Sequence, residues 1–364
     1  MGKPISETFQ RIYKLYASDL SITEIERLVK RDAPGIYDYY LREAQKVDQQ
    51  KNPVERTIRL VGNLFEAFLR KLSPSRRLFY SLILFLFIYS VVGASWFWAI
   101  GSFVLLNVLL AFELADKLIA KDELEVARDI QMNLMPQQPP AHPNFEISSY
   151  CEAAREVGGD YFDFIHPKSE KGVSYVMVGD VSGKGMAAAL HMVQVQALLH
   201  SLIEQYDSPK AVLQALNKQV KPIFNSRCFF TINLAKLTND NSLRFCRAGH
   251  MPLLIYRAAT DDCETITPNG LGIGLHNGKF DECLAEVEVG THPGDVLCFF
   301  TDGIVETMNA QKVEFGEQRF QEALCANAHK SAQDIQTAIL SELAHFRGAA
   351  SANDDLTLVI MKAR

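Results

Sequence analysis

No two of the seven cysteines, which run from Cys151 to Cys325, are spaced as Cys-x-x-Cys. That removes the zinc-ribbon and dithiol redox readings, and the thiols are expected to be free, in a reducing compartment. No Gly-x-x-x-x-Gly-Lys-Ser/Thr string occurs, so a Walker phosphate loop is excluded. Positive charge is not in excess: 37 Lys and Arg face 43 Asp and Glu, for a net charge of −6. Nothing in that balance suggests a nucleic-acid partner. Charge of either sign is missing altogether from the 35 residues between Leu78 and Phe112.

That uncharged run begins far from the N-terminus, so it is not a secretory signal. As one helix it would be about 52 Å long at 1.5 Å per residue, against a hydrocarbon core of roughly 30 Å. Two crossings fit better, turning at Gly93-Ala94-Ser95 with Trp96 and Trp98 at an interface. Residues 78–112 are therefore read as a transmembrane helical hairpin. Arg70, Lys71, Arg76 and Arg77 put its N-terminal flank in the cytoplasm, and a hairpin returns the C-terminal flank there too.

Residues 1–77 read as a helical cytoplasmic region without a catalytic constellation. Ser21 and Glu24 form a capping box before Ile25, and Pro34-Gly35 interrupts. After the hairpin, 113–138 reads as a linker helix. Leu114, Leu118, Ile119, Leu124, Val126, Ile130 and Leu134 recur along it in an imperfect heptad, which suits a coiled coil and a homodimer. Met135-Pro136, with Pro139 and Pro140, ends it.

From 144 to 364 the texture is of short apolar strands punctuated by Gly, Asp and Asn. Nine strands are expected, at 145–150, 161–165, 173–178, 229–237, 243–247, 253–256, 285–289, 296–301 and 356–361. Helices are expected in two pairs, at 184–204 and 208–224, then at 317–326 and 332–346. Clustered strands with clustered helices predict an α+β fold with antiparallel sheets rather than an alternating parallel one.

Four acids carry the chemistry. Asp160 lies in Val157-Gly158-Gly159-Asp160-Tyr161-Phe162-Asp163, and Asp180 ends an apolar strand before Val181-Ser182-Gly183-Lys184-Gly185. Asp302 ends another in Phe299-Phe300-Thr301-Asp302-Gly303, and Asp354 precedes a third in Asn353-Asp354-Asp355-Leu356-Thr357. Any one of these reads as a turn. Together they are costly, because an unpaired carboxylate beside an apolar core is penalised and several of them repel. A hard divalent cation with oxygen ligands would relieve both costs.

At these residues the chain resembles the SpoIIE-like and RsbU-like branch of the metal-dependent serine/threonine phosphatases, relatives of protein phosphatase type 2C. The matching strings are Ala127-Arg128-Asp129-Ile130-Gln131 with Leu134-Met135-Pro136, the Asp160 and Asp180 strings, Ala248-Gly249-His250-Met251-Pro252, Leu271-Gly272-Ile273-Gly274, Thr301-Asp302-Gly303-Ile304-Val305-Glu306 and Asp354-Asp355-Leu356-Thr357. They cover roughly residues 124–364.

The resemblance implies a sandwich of two antiparallel β-sheets flanked by helices. It implies two Mn²⁺ or Mg²⁺ ions and hydrolysis of phosphoserine or phosphothreonine by a metal-activated water. Asp160, Asp180, Asp302 and Asp354 would be the catalytic metal ligands, with the backbone carbonyl of Val181. The substrate class would be a phosphorylated STAS-type anti-sigma-factor antagonist, and the linker helix would pass dimerisation or sensor state to the helices after Lys184. The location implied is the bacterial inner membrane, with the catalytic domain in the cytoplasm.

Several roles stay open in the sequence. Asp355 could replace Asp354 as ligand. Asp163 could support a ligand or be a polar strand residue, Ser182 and Lys184 could contact phosphate, and His250 reads as structural, in a tight strand connection. The rival readings are a catalytically weak scaffold with a phosphatase-like domain and a nucleotide cyclase. Four intact Asp positions weigh against the first, and the lack of base-recognising residues against the second.

Overall fold

The computed structural model describes residues 62–364, apart from 64, 71, 94, 155, 171, 225–227, 239–241 and 276–277. The expectations for residues 1–61, including the Ser21 cap, lie outside the described residues. The chain divides into two compact units, Met1–Leu118 and Ile119–Arg364.

In the first unit, α1 (Pro74–Val92, 19 residues) starts with a proline at its first position, where the missing N–H costs nothing. Gly93 follows it, and α2 (Trp96–Leu134, 39 residues) begins at the tryptophans. Both helices are long and apolar enough to cross a membrane by length and composition. Arg76, in the first turn of α1, donates to Glu113 at 2.8 Å and also pairs with Asp116. Tyr89 packs edge-on against Trp98 at the other end. The two apolar segments are thus antiparallel, with their charged flanks at one end. The linker expected at 113–138 is no separate element: it is the C-terminal part of α2, which runs unbroken to Leu134.

The second unit is a sandwich of two five-stranded sheets. Its strands are β1 (Phe145–Glu152), β2 (Asp160–Ile165), β3 (Ser174–Val181), β4 (Phe230–Leu237), β5 (Ser242–Ala248), β6 (Leu253–Arg257), β7 (Asp262–Ile266), β8 (Glu286–Gly290), β9 (Val296–Phe300) and β10 (Leu356–Ala363). One sheet has the order β1-β10-β9-β6-β7 and the other β2-β3-β4-β5-β8. Every pairing is antiparallel.

Helices α3 (Met186–Ile203) and α4 (Pro209–Val220) cover the second sheet, with the short α5 (Phe280–Cys283) beside α4. On the first sheet lie α7 (Glu317–Asn327) and α8 (Ala332–Arg347), preceded by the single turn α6 (Asp302–Val305). The Ser208 hydroxyl caps α4, accepting from the Ala211 N–H, and Ser331 caps α8 in the same way. Helices outside and sheets inside explain why Val296–Phe300 is apolar without alternation. Leu297 and Phe299 join the core between the sheets, while Val296, Cys298 and Phe300 join the one under α7 and α8.

The α+β class and the two pairs of helices agree with the sequence expectations, and the expected strands are displaced by a few residues at most. Strand β7 was not expected. It is an edge strand, Asp-Cys-Glu-Thr-Ile, whose exposed polar residues carry no apolar alternation. The strand expected to end at 301 ends at Phe300, and Asp302 opens a helical turn instead. The expectation of free cysteines fails for one pair: β7 lies beside α7, bringing Cys263 and Cys325 to a Cα separation of 6.5 Å, and they are joined as a disulfide. The other five are free.

Candidate active site

The four acids foreseen in the sequence sit at the ends of strands from both sheets. Asp160 opens β2, and Asp180 stands opposite it near the end of β3. Asp302 follows β9, and Asp354 precedes β10, the strand paired with β9. Because β2 and β10 belong to facing sheets, their ends can be bridged by side chains. Asp160 is 3% exposed, and its Oδ2 accepts from Thr301 Oγ1 at 2.8 Å and from Thr357 Oγ1 at 2.7 Å. Neither threonine stands out in the sequence, where they are only the residues beside Asp302 and in Leu356-Thr357.

The electrostatics are those of like charges held together. Burial first, then Asp180, pushes the Asp160 carboxyl well above its ordinary value, against the pull of the two threonine hydroxyls. Asp180 is pushed up to about 8 by burial and by Asp302, Asp354 and Asp355, with Lys184 opposing. Asp302 is raised by burial and by Asp354. Glu306, which closes the Thr301–Glu306 string, is raised by burial and by Asp302 among other acids.

The adjacent acids separate into two roles. Asp355 is turned to the loop before β2: Ala154 N donates to its Oδ1 at 2.8 Å and Gly159 N to its Oδ2 at 2.7 Å. A Cβ on Gly158 would meet that Oδ2 at 2.5 Å, so any side chain there would push the carboxylate off its two amides. Asp354 instead receives the Lys184 ammonium at 2.7 Å, and Lys184 also donates to the Asn353 carbonyl at 3.0 Å.

The remaining candidates lie away from this cluster. Asp163 is 5% exposed and takes hydrogen bonds from Tyr161 Oη (2.8 Å) and the Phe164 N–H, and it pairs with His200 Nε2 of α3 at 2.7 Å. By strand alternation it is on the opposite face of β2 from Asp160. The Ser182 hydroxyl accepts from Phe229 N at 2.8 Å, which clasps the loop to the start of β4. His250 is buried, with Nδ1 2.8 Å from Thr231 Oγ1, and burial pushes it down to about 3, so it is neutral. Thr231 in turn is the β4 partner of Asp180.

Oxygen donors without a thiol or imidazole among them suit Mg²⁺ or Mn²⁺. One local feature fits such an ion. A Cβ built on Gly159 would stand 2.7 Å from both Asp180 Oδ1 and the Val181 carbonyl, so these two oxygens converge on the bare face of one glycine. Among the described residues, no three His, Cys, Asp or Glu side chains already surround a common point.

Two stacked antiparallel sheets with helices outside are the architecture of the type 2C phosphatases. The family model described as Stage II sporulation protein E (SpoIIE) matches residues 170–364, and the chain belongs to that family of phosphatases. It is 26% identical over 256 residues to the phosphoserine phosphatase RsbU of Bacillus subtilis, covering 67% of this chain and 71% of RsbU. Protein IcfG of Synechocystis is 25% identical over 293 residues, which cover 70% of this chain and 43% of IcfG. Among solved structures, the SiaA-PP2C domain of Pseudomonas aeruginosa superposes with a TM-score of 0.59 at 21% identity, over 68% of this chain and 98% of that domain. The RsbU and RsbW domains of a Mycobacterium tuberculosis protein give a TM-score of 0.54 at 26% identity, over 62% of this chain and 61% of theirs. Asp160 lies just before the span of the family match, within the same sandwich.

Proposed function

We propose that this chain is a membrane-tethered, metal-dependent phosphoserine/phosphothreonine protein phosphatase of bacterial signalling, acting on a phosphorylated STAS-type anti-sigma-factor antagonist. One observation carries the catalytic part: Asp160 and Asp180 are paired across two strands beside Asp302 and Asp354, with Asp180 pushed up to about 8 by burial and by its neighbours. Evolutionary kinship to RsbU, itself a phosphoserine phosphatase, supports the same chemistry.

In this reading Asp160, Asp180, Asp302, Asp354 and the Val181 carbonyl hold two Mn²⁺ or Mg²⁺ ions. When bound, such a pair polarises the phosphoryl group and makes a water nucleophilic near neutral pH. Thr301 and Thr357 orient Asp160, and Asp355 fixes the loop that presents it. Lys184, half-exposed next to Asp354, is placed to receive the substrate phosphate as a point charge.

The tether is the α1–α2 hairpin, whose two charged flanks meet at Arg76 and Glu113. Together with Arg70, Lys71 and Arg77, this favours a cytoplasmic face for both ends. A homodimer along the exposed apolar residues Ile119, Val126 and Ile130 of α2 belongs to the same proposal.

The test is phosphate release from a phosphoserine STAS-type protein by the full chain in detergent, with Mn²⁺ and with chelator, beside Asp302→Asn. Release is expected to need metal and to fail in the variant. Release that persists in chelator would refute the metal reading. Metal binding by calorimetry without release would refute the STAS substrate, and absence of both would favour the scaffold.

A further inference from the structure

The described residues between Ala153 and Gly159 form neither helix nor strand, yet they lead to Asp160 at the start of β2. Asp355 holds it from one side through the Ala154 and Gly159 amides. On the other side is Gln131, in the last turns of α2 and 4% exposed. Its Nε2 donates to the Gly158 carbonyl at 2.7 Å, and its Oε1 accepts from the Gly158 N–H at 3.2 Å.

A primary amide carries a donor and an acceptor side by side at any pH, so Gln131 can give and take with one peptide group without a charge or a change of protonation. The helix end that carries Gln131 is itself anchored. Gln196 of α3 donates to the Leu134 carbonyl at 2.5 Å, and Met135 is buried in the core. Gly158 thus passes between an anchored amide and the Asp355 carboxylate, two residues before Asp160.

We propose that Gln131 is a positioning residue of the reaction: by gripping both polar groups of Gly158 it sets the place of the Asp160 carboxylate, and with it the affinity for the metal. This rests on the phosphatase reading above and adds a residue that touches neither substrate nor metal. Supporting contacts behind metal ligands typically change metal affinity or activity by about 10–100-fold.

The experiment compares the full chain with Gln131→Met, which keeps the length and removes both hydrogen bonds, and with Gln196→Met, which loosens the same helix end without touching the loop. Mn²⁺ affinity is read by calorimetry, and kcat and KM with p-nitrophenyl phosphate. Gln131→Met is expected to weaken Mn²⁺ binding and lower kcat, each roughly tenfold, with KM little changed, and to speed amide exchange within residues 157–163. Gln196→Met leaves Met135 buried as the second anchor of that helix end, so it is expected to lower the thermal midpoint while changing Mn²⁺ affinity and kcat far less than Gln131→Met does. Should the Met variant not fold, Gln131→Glu retains the acceptor for the Gly158 N–H and is expected to shift Mn²⁺ affinity in the same direction. A Gln131 variant with wild-type affinity and kcat overturns the proposal, as does equal damage from Gln196→Met. A wild type that neither binds Mn²⁺ nor turns over would refute the underlying phosphatase reading, and this inference with it.

Discussion

Asp160 and Asp180 are direct partners in the β2–β3 ladder, one carboxylate reaching across to the threonines of the other sheet and the second facing Asp302 and Asp354. Like charges in register across a ladder destabilise it. The strand ends therefore carry an electrostatic cost that ordinary packing would not retain and that a bound cation would offset.

Asp180→Asn separates that cost from its use. Replacing a carboxyl whose ionisation the cluster disfavours by a neutral amide is expected to stabilise the metal-free chain by on the order of 1 kcal/mol, most clearly above about pH 8, where the wild-type carboxyl must carry its charge. Phosphatase activity is expected to fall by at least about 100-fold, since even supporting contacts are worth about 10–100-fold. Calorimetric melting with and without Mn²⁺ checks both halves. A variant that is less stable than the wild type without metal would contradict the account of the cluster.

The neighbours Asp354 and Asp355 are expected to fail differently. Asp355→Asn replaces one acceptor by a donor facing the Ala154 or Gly159 N–H, a loss of about 1–3 kcal/mol in a part-buried network. Asp354→Asn leaves those bonds intact and removes the carboxylate beside Lys184. It is expected to abolish activity while keeping the thermal midpoint within a degree or two of the wild type, as surface changes of about 0.5 kcal/mol do. If the two substitutions exchanged these phenotypes, the assignment would be reversed.

Gly159→Ala probes the glycine face directly. The added methyl would sit 2.7 Å from both Asp180 Oδ1 and the Val181 carbonyl, so one of those oxygens must move. Weaker Mn²⁺ binding by roughly tenfold or more is expected, comparable to the loss of a supporting contact. Unchanged affinity in calorimetry would mean that these oxygens do not hold the ion.

The acid positions were legible because each is written locally: an Asp stands at one end of an apolar strand, beside a glycine at Asp160, Asp180 and Asp302. The sandwich was legible for a related reason, since clustered strands and paired amphipathic helices leave different periodicities. What supports the acids was not legible. Thr301 and Thr357 serve Asp160 from more than 140 positions away in sequence, and Asp355 holds Gly159 across 196. Such partners are set by sheet order, which no local pattern encodes. Strand β7 escaped because an exposed edge needs no apolar face, and the start of the linker because a helix that leaves an apolar segment need not break.

His200 and Asp163 give a pH-dependent prediction on the far side of β2. Asp163 is buried at 6% side-chain exposure, and His200, at 50%, pairs with it at 2.7 Å. The hydrogen bond to Asp163 raises the His200 pKa above its ordinary 6.5, against burial, which lowers it. A group whose pKa is higher folded than unfolded binds its proton more tightly in the native state. Its contribution to stability is therefore complete below about 6.5, and it is lost as pH climbs through the raised folded value. Replacing His200 with Gln should thus cost more stability at pH 6 than at pH 9. Half-exposure and screening keep the effect modest, and salt should shrink it further. Thermal midpoints of wild type and His200→Gln at the two pH values decide the matter, and a difference that does not change with pH would show that the bond holds without charge on the imidazole. The pair ties α3 to the outer face of β2, whose inner face presents Asp160. The same variant is therefore expected to keep its Mn²⁺ affinity at pH 9, where the charged pair contributes little even in the wild type.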